Sequence, residues 1–410
     1  MPQLEAGASH TASLSVTLPT NVAAGTYYLI AKADAANVVV ETNESNNTLA
    51  KSIQIGGDLT ISAFTAPASG GAGRTIVVSD TTLNQGAGPV AATATRFYLS
   101  ANTVLDAGDT LLIGTHSVPV LDAGISHTAS TTLTIPADAA TGVFYLIAKA
   151  DHDSAVLESQ ETNNTLLRGF QVGPDLTVTG VSGPSRGAAG SPLAVTETVI
   201  NQGGGDAVAS SVTFYLSSDW IFDAADTPLN PSRAVPALIN GASSSGSTTL
   251  TIPAGTASGV YYIIARVDAP NAIAETQEGN NTASYSVRIG PDLWVSYFYP
   301  TPNKSAAGGT VSVVNTITNQ GGATAGASTV RFYFSTNYTL EAGDVLIGER
   351  AVPALAAGQF NSGSTPVQIP AGTAPGNYYL LAQADALGVV DESPETNNVT
   401  YVGIQVTIVP

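Results

Sequence analysis

The chain contains no cysteine. That excludes disulfide staples, thiolate zinc sites and cysteine nucleophiles, and it leaves the redox compartment open. Basic residues are also scarce: 13 Lys and Arg face 31 Asp and Glu among 410 residues, a formal net charge of −18. Nucleic acid and anionic lipid are bound through clustered cations, so neither is an expected partner. The acidity is spread evenly, with 10 acidic and 4 basic residues in 57–173, 9 and 4 in 174–290, and 8 and 3 in 291–410. Such a surface suits divalent cations better than anions. No apolar run approaches the roughly 18 residues that a spanning helix needs, so membrane insertion is not expected. No stretch carries a sustained helical stripe either.

What the chain has in abundance is turn formers and apolar residues: 41 Gly, 23 Pro and 43% hydrophobic positions. This is the balance of a folded, turn-rich protein with material for several cores. Its organisation is a repeat of 117 residues, seen in Asp34, Asp151, Asp268 and Asp385 and in Glu41, Glu158, Glu275 and Glu392. Glu44, Glu161, Glu278 and Glu395 keep the register, as do the pairs Asn46–Asn47, Asn163–Asn164, Asn280–Asn281 and Asn397–Asn398. A period of this length is that of a self-sufficient domain, longer than a solenoid repeat. Joints fall at Gly57-Asp58-Leu59, Gly173-Pro174-Asp175-Leu176 and Gly290-Pro291-Asp292-Leu293. The expected division is therefore 1–56, 57–173, 174–290 and 291–410, with linkers too short for free swivelling.

The first division matches only the closing half of a module, because Met1–Gly7 aligns with Val118–Gly124. Half a module exposes an inner face and an open strand edge. The expectation is a window cut from a longer repetitive protein, with completion by another chain as the alternative.

Within a module, short runs alternate apolar and polar residues, as in Leu14-Ser15-Val16-Thr17-Leu18. Period two marks a half-buried strand. Seven such runs are legible in 174–290: Leu176–Val181, Leu193–Asn201, Ser211–Ser217, Ser232–Leu238, Ser247–Ile252, Gly259–Asp268 and Thr282–Ile289. Seven strands in about 100 residues predict an immunoglobulin-like β-sandwich, and the whole an all-β array of tandem sandwiches. The sixth run begins with Gly25, Gly142, Gly259 or Gly376 and carries Tyr28, Tyr145, Tyr262 or Tyr379. That tyrosine is expected to be a buried ring whose hydroxyl bonds backbone, a tyrosine corner.

Several of these residues form a pattern that resembles the CARDB domain, a cell-adhesion-related Ig-like repeat of bacteria. They are the opening Pro-Asp-Leu, the turns Asn84-Gln85-Gly86, Asn201-Gln202-Gly203 and Asn319-Gln320-Gly321, the runs Phe97–Ser100 and Phe214–Ser217, and the Glu-x-x-Glu-x-Asn-Asn ending. Phe334 departs from the Leu of the other copies, and the first division lacks the opening half. The resemblance implies a secreted or cell-surface bacterial protein built as a stalk or adhesin.

Two acidic groups recur. After the third strand come Asn102, Asp106 and Asp109, then Asp219, Asp223 and Asp226, then Asn337, Glu341 and Asp344. Oxygen ligands at such spacing in a loop suit Ca²⁺. The second group is Asp175 or Asp292 at a joint with Asp268, Glu275 and Glu278, or Asp385, Glu392 and Glu395, at the closing corner. In an Ig-like topology the first group of one module faces the second group of the next, which predicts a calcium-stiffened junction. The opposing reading is that such residues bond nearby backbone N–H groups and set turns.

An enzyme is not expected. His10, His116, His127 and His152 read as surface strand residues, and the carboxylate pairs recur in every copy where a catalytic pair would occur once. The favoured function is mechanical: a stalk or fibre segment of roughly 120 Å, since strands of eight to ten residues rise about 3.3 Å each. Its partners would be neighbouring modules or other copies of the chain in a fibre. The alternative is an adhesive module for a glycan or a surface receptor, although Trp220, Trp294 and Tyr338 form no platform legible in the sequence.

Overall fold

The computed structural model describes residues 3–407, and they fall into two compact units. One takes the chain as far as Gly173 together with Gly203–Gly205; the other takes Pro174–Gln202 and Asp206 onward. Each unit is organised by strands, and the described residues hold a single 3-10 turn, Glu395–Asn397. No helix among them is long and apolar enough to cross a membrane.

The first complete sandwich of the second unit shows the plan. Its three-stranded sheet orders Leu176–Ser182, Pro192–Asn201 and Ser243–Thr251, all antiparallel. Its five-stranded sheet orders Arg186–Gly187, Thr282–Ile289, Gly259–Val267, Ser210–Ser217 and Thr227–Val235. The two-residue strand Arg186–Gly187 runs parallel to Thr282–Ile289 and carries the chain from one sheet to the other. Alternation along Pro192–Asn201 buries Leu193, Val195, Glu197, Val199 and Asn201 and turns the intervening residues outward. Between the sheets lie Leu176, Val195, Val199, Phe214, Leu250, Ile263, Ala265 and Val287, none more than 1% exposed. Each buried side chain of Leu, Ile or Phe size contributes about 1.5–3 kcal/mol relative to exposure. The same plan builds a core from Leu59 to Val172 in the first unit and a second core from Leu293 to Val406 in the other.

Three expectations need correction. The fourth strand is Thr227–Val235, earlier than Ser232–Leu238, because Pro228 and Pro231 obscured an edge strand that prolines tolerate. The fifth starts at Ser243, since Ser243-Ser244-Ser245-Gly246 pairs fully with Glu197–Ile200 without any apolar alternation. The tyrosine corner is misplaced. Phe144, Tyr261 and Tyr378 are the rings packed on the cores, and the Tyr378 hydroxyl donates to the Ala374 carbonyl at 3.1 Å. Tyr145, Tyr262 and Tyr379, one residue later, have opposite parity and stand half-buried on the outer face.

The closing half-module of the first unit forms one hairpin, Gly25–Lys32 with Thr48–Ile55. Val16, Leu18 and Leu29 are 61%, 43% and 43% exposed, whereas their counterparts Leu133, Ile135 and Leu146 are fully buried. Residues 9–17 carry no ladder, while Ser126–Thr134 at the same register pairs with Thr75–Asn84.

Candidate functional site

The closing corners are the most elaborate polar structures in the chain. Asp268 adopts a left-handed φ of 46°, and Asp34, Asp151 and Asp385 do the same at 41–42°. Asp tolerates this region because its carboxylate bonds the local backbone. Here Asp268 accepts from the Ala272 and Ile273 N–H groups at 3.2 and 2.8 Å, and Asp34 from Val38 and Val39 at 3.0 Å. The chain then brings Glu275 under the opening strand.

Glu275 Oε2 accepts from the Leu176 N–H at 2.5 Å and Oε1 from Asn281 Nδ2 at 3.2 Å, while Glu278 Oε1 takes the Glu275 N–H at 3.0 Å. Asp175 is held from two sides: Oδ1 by Asn280 Nδ2 at 2.9 Å and Oδ2 by Gln202 Nε2 at 3.0 Å. Asn201 Oδ1 accepts from the Asp175 N–H at 3.0 Å, and Asn201 Nδ2 donates to the Leu238 carbonyl at 2.9 Å. Opening strand, Asn-Gln-Gly turn and closing corner are thus sewn together across about 100 residues of sequence. Asp58, Asn84, Gln85, Glu158, Asn163 and Asn164 make the same set. In the last module Asn319, Glu392 and Asn397 hold Asp292 and the Leu293 N–H in the same way, while Asn398 Nδ2 donates to Glu395 at 3.3 Å instead of to Glu392.

Burial governs the electrostatics. Glu158, Glu275 and Glu392 are 5%, 8% and 5% exposed. Loss of hydration pushes the Glu158 and Glu275 carboxyls up to about 7 and Glu392 up to about 8, against the opposing pull of the Leu N–H bonds.

The strand-three loops are also internally satisfied. Asp219 Oδ1 accepts from the Ile221 N–H at 2.8 Å, Asp223 Oδ1 from Ala225 at 2.7 Å, and Asp226 Oδ2 from Asp223 at 2.9 Å. Asn102, Asp106 and Asp109 repeat this with Val104, Gly108 and Asp106. Asn337 and Asp344 do so with Thr339 and Glu341. Among the described residues no group of three or more His, Cys, Asp or Glu is placed to hold a metal ion. Asp175, Asp268, Glu275 and Glu278, like Asp292, Asp385, Glu392 and Glu395, belong to the sewing of their own module. Most of these carboxylates are engaged by backbone N–H groups and amides of their own module, whereas Glu341 meets only the Asn337 amide at 3.5 Å and Glu392 Oε1 has no hydrogen-bond partner.

Within the second unit, the joint between 174–290 and the last module is made by backbone and small side chains. Ser258 Oγ donates to the Asp391 carbonyl at 2.7 Å, the Gly290 N–H to the Gly187 carbonyl at 3.2 Å, and the Gly322 N–H to the Gly290 carbonyl at 3.0 Å. Gly322 lies so close to Gly187 that a Cβ would come within 2.5 Å of its backbone nitrogen and oxygen.

A feature not legible in the sequence lies inside the sandwiches. His116 is 2% exposed, with Nδ1 at 2.8 Å from Asp80 Oδ2 and Nε2 at 2.7 Å from His127 Nδ1. It is an interior residue, contrary to the surface expected of it. The equivalent places hold Glu197, Arg233 and Ser244, then Asn315, Arg350 and Asn361. Each module closes the same gap with a different polar set, and only residues far apart in sequence make it.

The CARDB family model matches residues 1–51, 56–168, 173–285 and 290–402. The chain belongs to the CARDB family. CARDB domains are cell-adhesion-related repeats, which gives this chain a general adhesion or surface-repeat role. No curated protein matches the chain at a significant level. Among solved structures, the CARDB domain of a Pyrococcus furiosus protein, crystallised in complex with di-metal ions, is 26% identical. It covers 28% of this chain and 88% of its own length, with a TM-score of 0.23. A solution structure of the same domain gives 26% identity, 28% and 94% coverage and a TM-score of 0.23. A Corynebacterium diphtheriae protein described as membrane-anchored is 12% identical over 95% of this chain and 98% of its own, with a TM-score of 0.27.

Proposed function

We propose that this CARDB array is a structural segment of a secreted or cell-surface bacterial protein, a stalk or fibre-forming adhesin part whose modules are stiffened by direct packing. The observation that carries the reading is the joint of the second unit, where Ser258 meets Asp391 and Gly322 abuts Gly187. A linker of Gly290, Pro291 and Asp292 whose backbone bonds both modules has little freedom left to lose. Supporting it, each complete sandwich is sewn across about 100 residues of sequence by its opening strand and closing corner. Neighbouring modules, or other copies of the chain in a fibre, would be the segment's partners.

The test is Gly322→Val in the full chain, with spin labels placed on either side of the joint. The narrow distance distribution of the parent should broaden in the variant while the thermal unfolding of each module persists. Equal widths would remove the joint from the account.

A further inference from the structure

The strand-three loops of the second unit present aromatic side chains that the fold does not require. The position after the loop's Asn or Asp is Thr103, Trp220 or Tyr338, and the three loops make the same turns. Thr103 serves the turn as well as Trp220 does, yet Trp220 is kept 68% exposed and Ile221 56% exposed. Behind them Phe222 is fixed: its ring meets Tyr215 edge-on at 4.7 Å, and the Arg266 guanidinium lies 4.6 Å over it. Ile264, buried but outside the inter-sheet core, supports this group on the outer face.

Trp220, Ile221 and Phe222 share a cleft of about 610 Å³ with Arg266, Glu278 and Thr282. That volume lies within the range of small-molecule sites. A broad exposed indole offers an apolar face; the hydroxyl, carboxylate and guanidinium around it offer donors and acceptors. One cation and one anion balance in the cleft, within a module of 9 acidic and 4 basic residues that repels anions. A single exposed indole also differs from the parallel aromatic ridges that receive polyproline segments.

We propose that this cleft is a saccharide subsite for a neutral oligosaccharide, with a pyranose ring stacked on Trp220 and its hydroxyls bonded by Glu278, Thr282 and Arg266. The last module varies the device: Tyr338 stands 5.6 Å from Tyr401 and 6.2 Å from Tyr379, centroid to centroid, on the equivalent face. The inference goes beyond the mechanical reading and is independent of it, since joint stiffness and ligand titration are read separately.

The chain has two tryptophans, so Trp294→Phe leaves Trp220 as the sole indole reporter. Cellotriose and triacetylchitotriose are titrated into that full-length variant, and calorimetry follows the parent chain and Trp220→Thr. Threonine is the residue of the first complete module, so the variant keeps a turn the fold accepts. The expected result is a saturable change in Trp220 emission with at least one probe, and a calorimetric affinity about tenfold or more weaker in Trp220→Thr, with its unfolding unchanged, and in Glu278→Gln. No saturable change with either probe up to about 20 mM would overturn the proposal, because even a weak one-ring site would show there. Equal calorimetric affinity in Trp220→Thr would overturn it too. Self-association that Trp220→Thr abolishes, without saccharide binding, would assign the face to a second copy instead.

Discussion

Glu275 is the residue whose replacement probes the sewing of a module most sharply. In Glu275→Ala the Leu176 N–H and one N–H of Asn281 lose their acceptor in a site where Glu275 is 8% exposed. Each buried donor left unsatisfied costs about 1–3 kcal/mol, so the change should cost roughly 2–6 kcal/mol. Against a domain stability of about 5–15 kcal/mol this is a large fraction. Glu275→Gln keeps an acceptor for Leu176, and Asn281 can turn its amide to receive the new donor, so its cost near neutral pH should be within about 1 kcal/mol. The assay is denaturant unfolding of the full chain followed by Trp220 emission in the Trp294→Phe background. Glutamine as damaging as alanine would refute the reasoning, because the acceptor role would then not be what matters. An alanine variant with an unchanged midpoint would refute it more directly.

Further predictions concern pH, the interior polar sets and metal. Burial holds the Glu275 carboxyl near 7, above the usual carboxyl range, so the folded module binds more protons than the unfolded chain between those values. Stability from this group is therefore present at low pH and lost as pH rises through about 7; the Glu275→Gln midpoint should fall less between pH 5 and pH 8 than the parent midpoint. Arg233→Ala leaves Glu197, 2% exposed, without its guanidinium and should cost about 3–5 kcal/mol, whereas replacing both with Met and Leu should restore most of it. A double variant as unstable as the single one would contradict this. Chelator should leave the thermal unfolding of the full chain unchanged, and a calcium-dependent rise in midpoint would show that the carboxylates rearrange to bind the ion.

The fold was largely legible because its signals are local. Alternation along Leu176–Ser182 or Pro192–Asn201 states which side chains go inward, and the repeat of 117 residues multiplies each signal. Proline-bearing Thr227–Val235 and the serine run at Ser243 carried no such alternation, and their pairing is a tertiary result. Asp175, Glu275 and their equivalents stand out in the sequence by their spacing, but spacing does not tell whether an oxygen faces a cation or a backbone N–H. Burial decides that, and burial of Glu275 depends on Leu176, 99 residues earlier. The interior sets around His116, Arg233 and Arg350 were invisible for the same reason: three strands supply them. The cleft at Trp220 needed the loop to fold back over its own sheet, which no pattern within the loop announces.

The measurement that tests the central claim most directly is the distance distribution between spin labels on either side of the second unit's joint, in the full chain, once in chelator and once in excess Ca²⁺. Direct packing of Ser258 on Asp391 and of Gly322 on Gly187 predicts the same narrow distribution in both conditions. A distribution that is broad in chelator and narrows only with Ca²⁺ would contradict stiffening by direct packing.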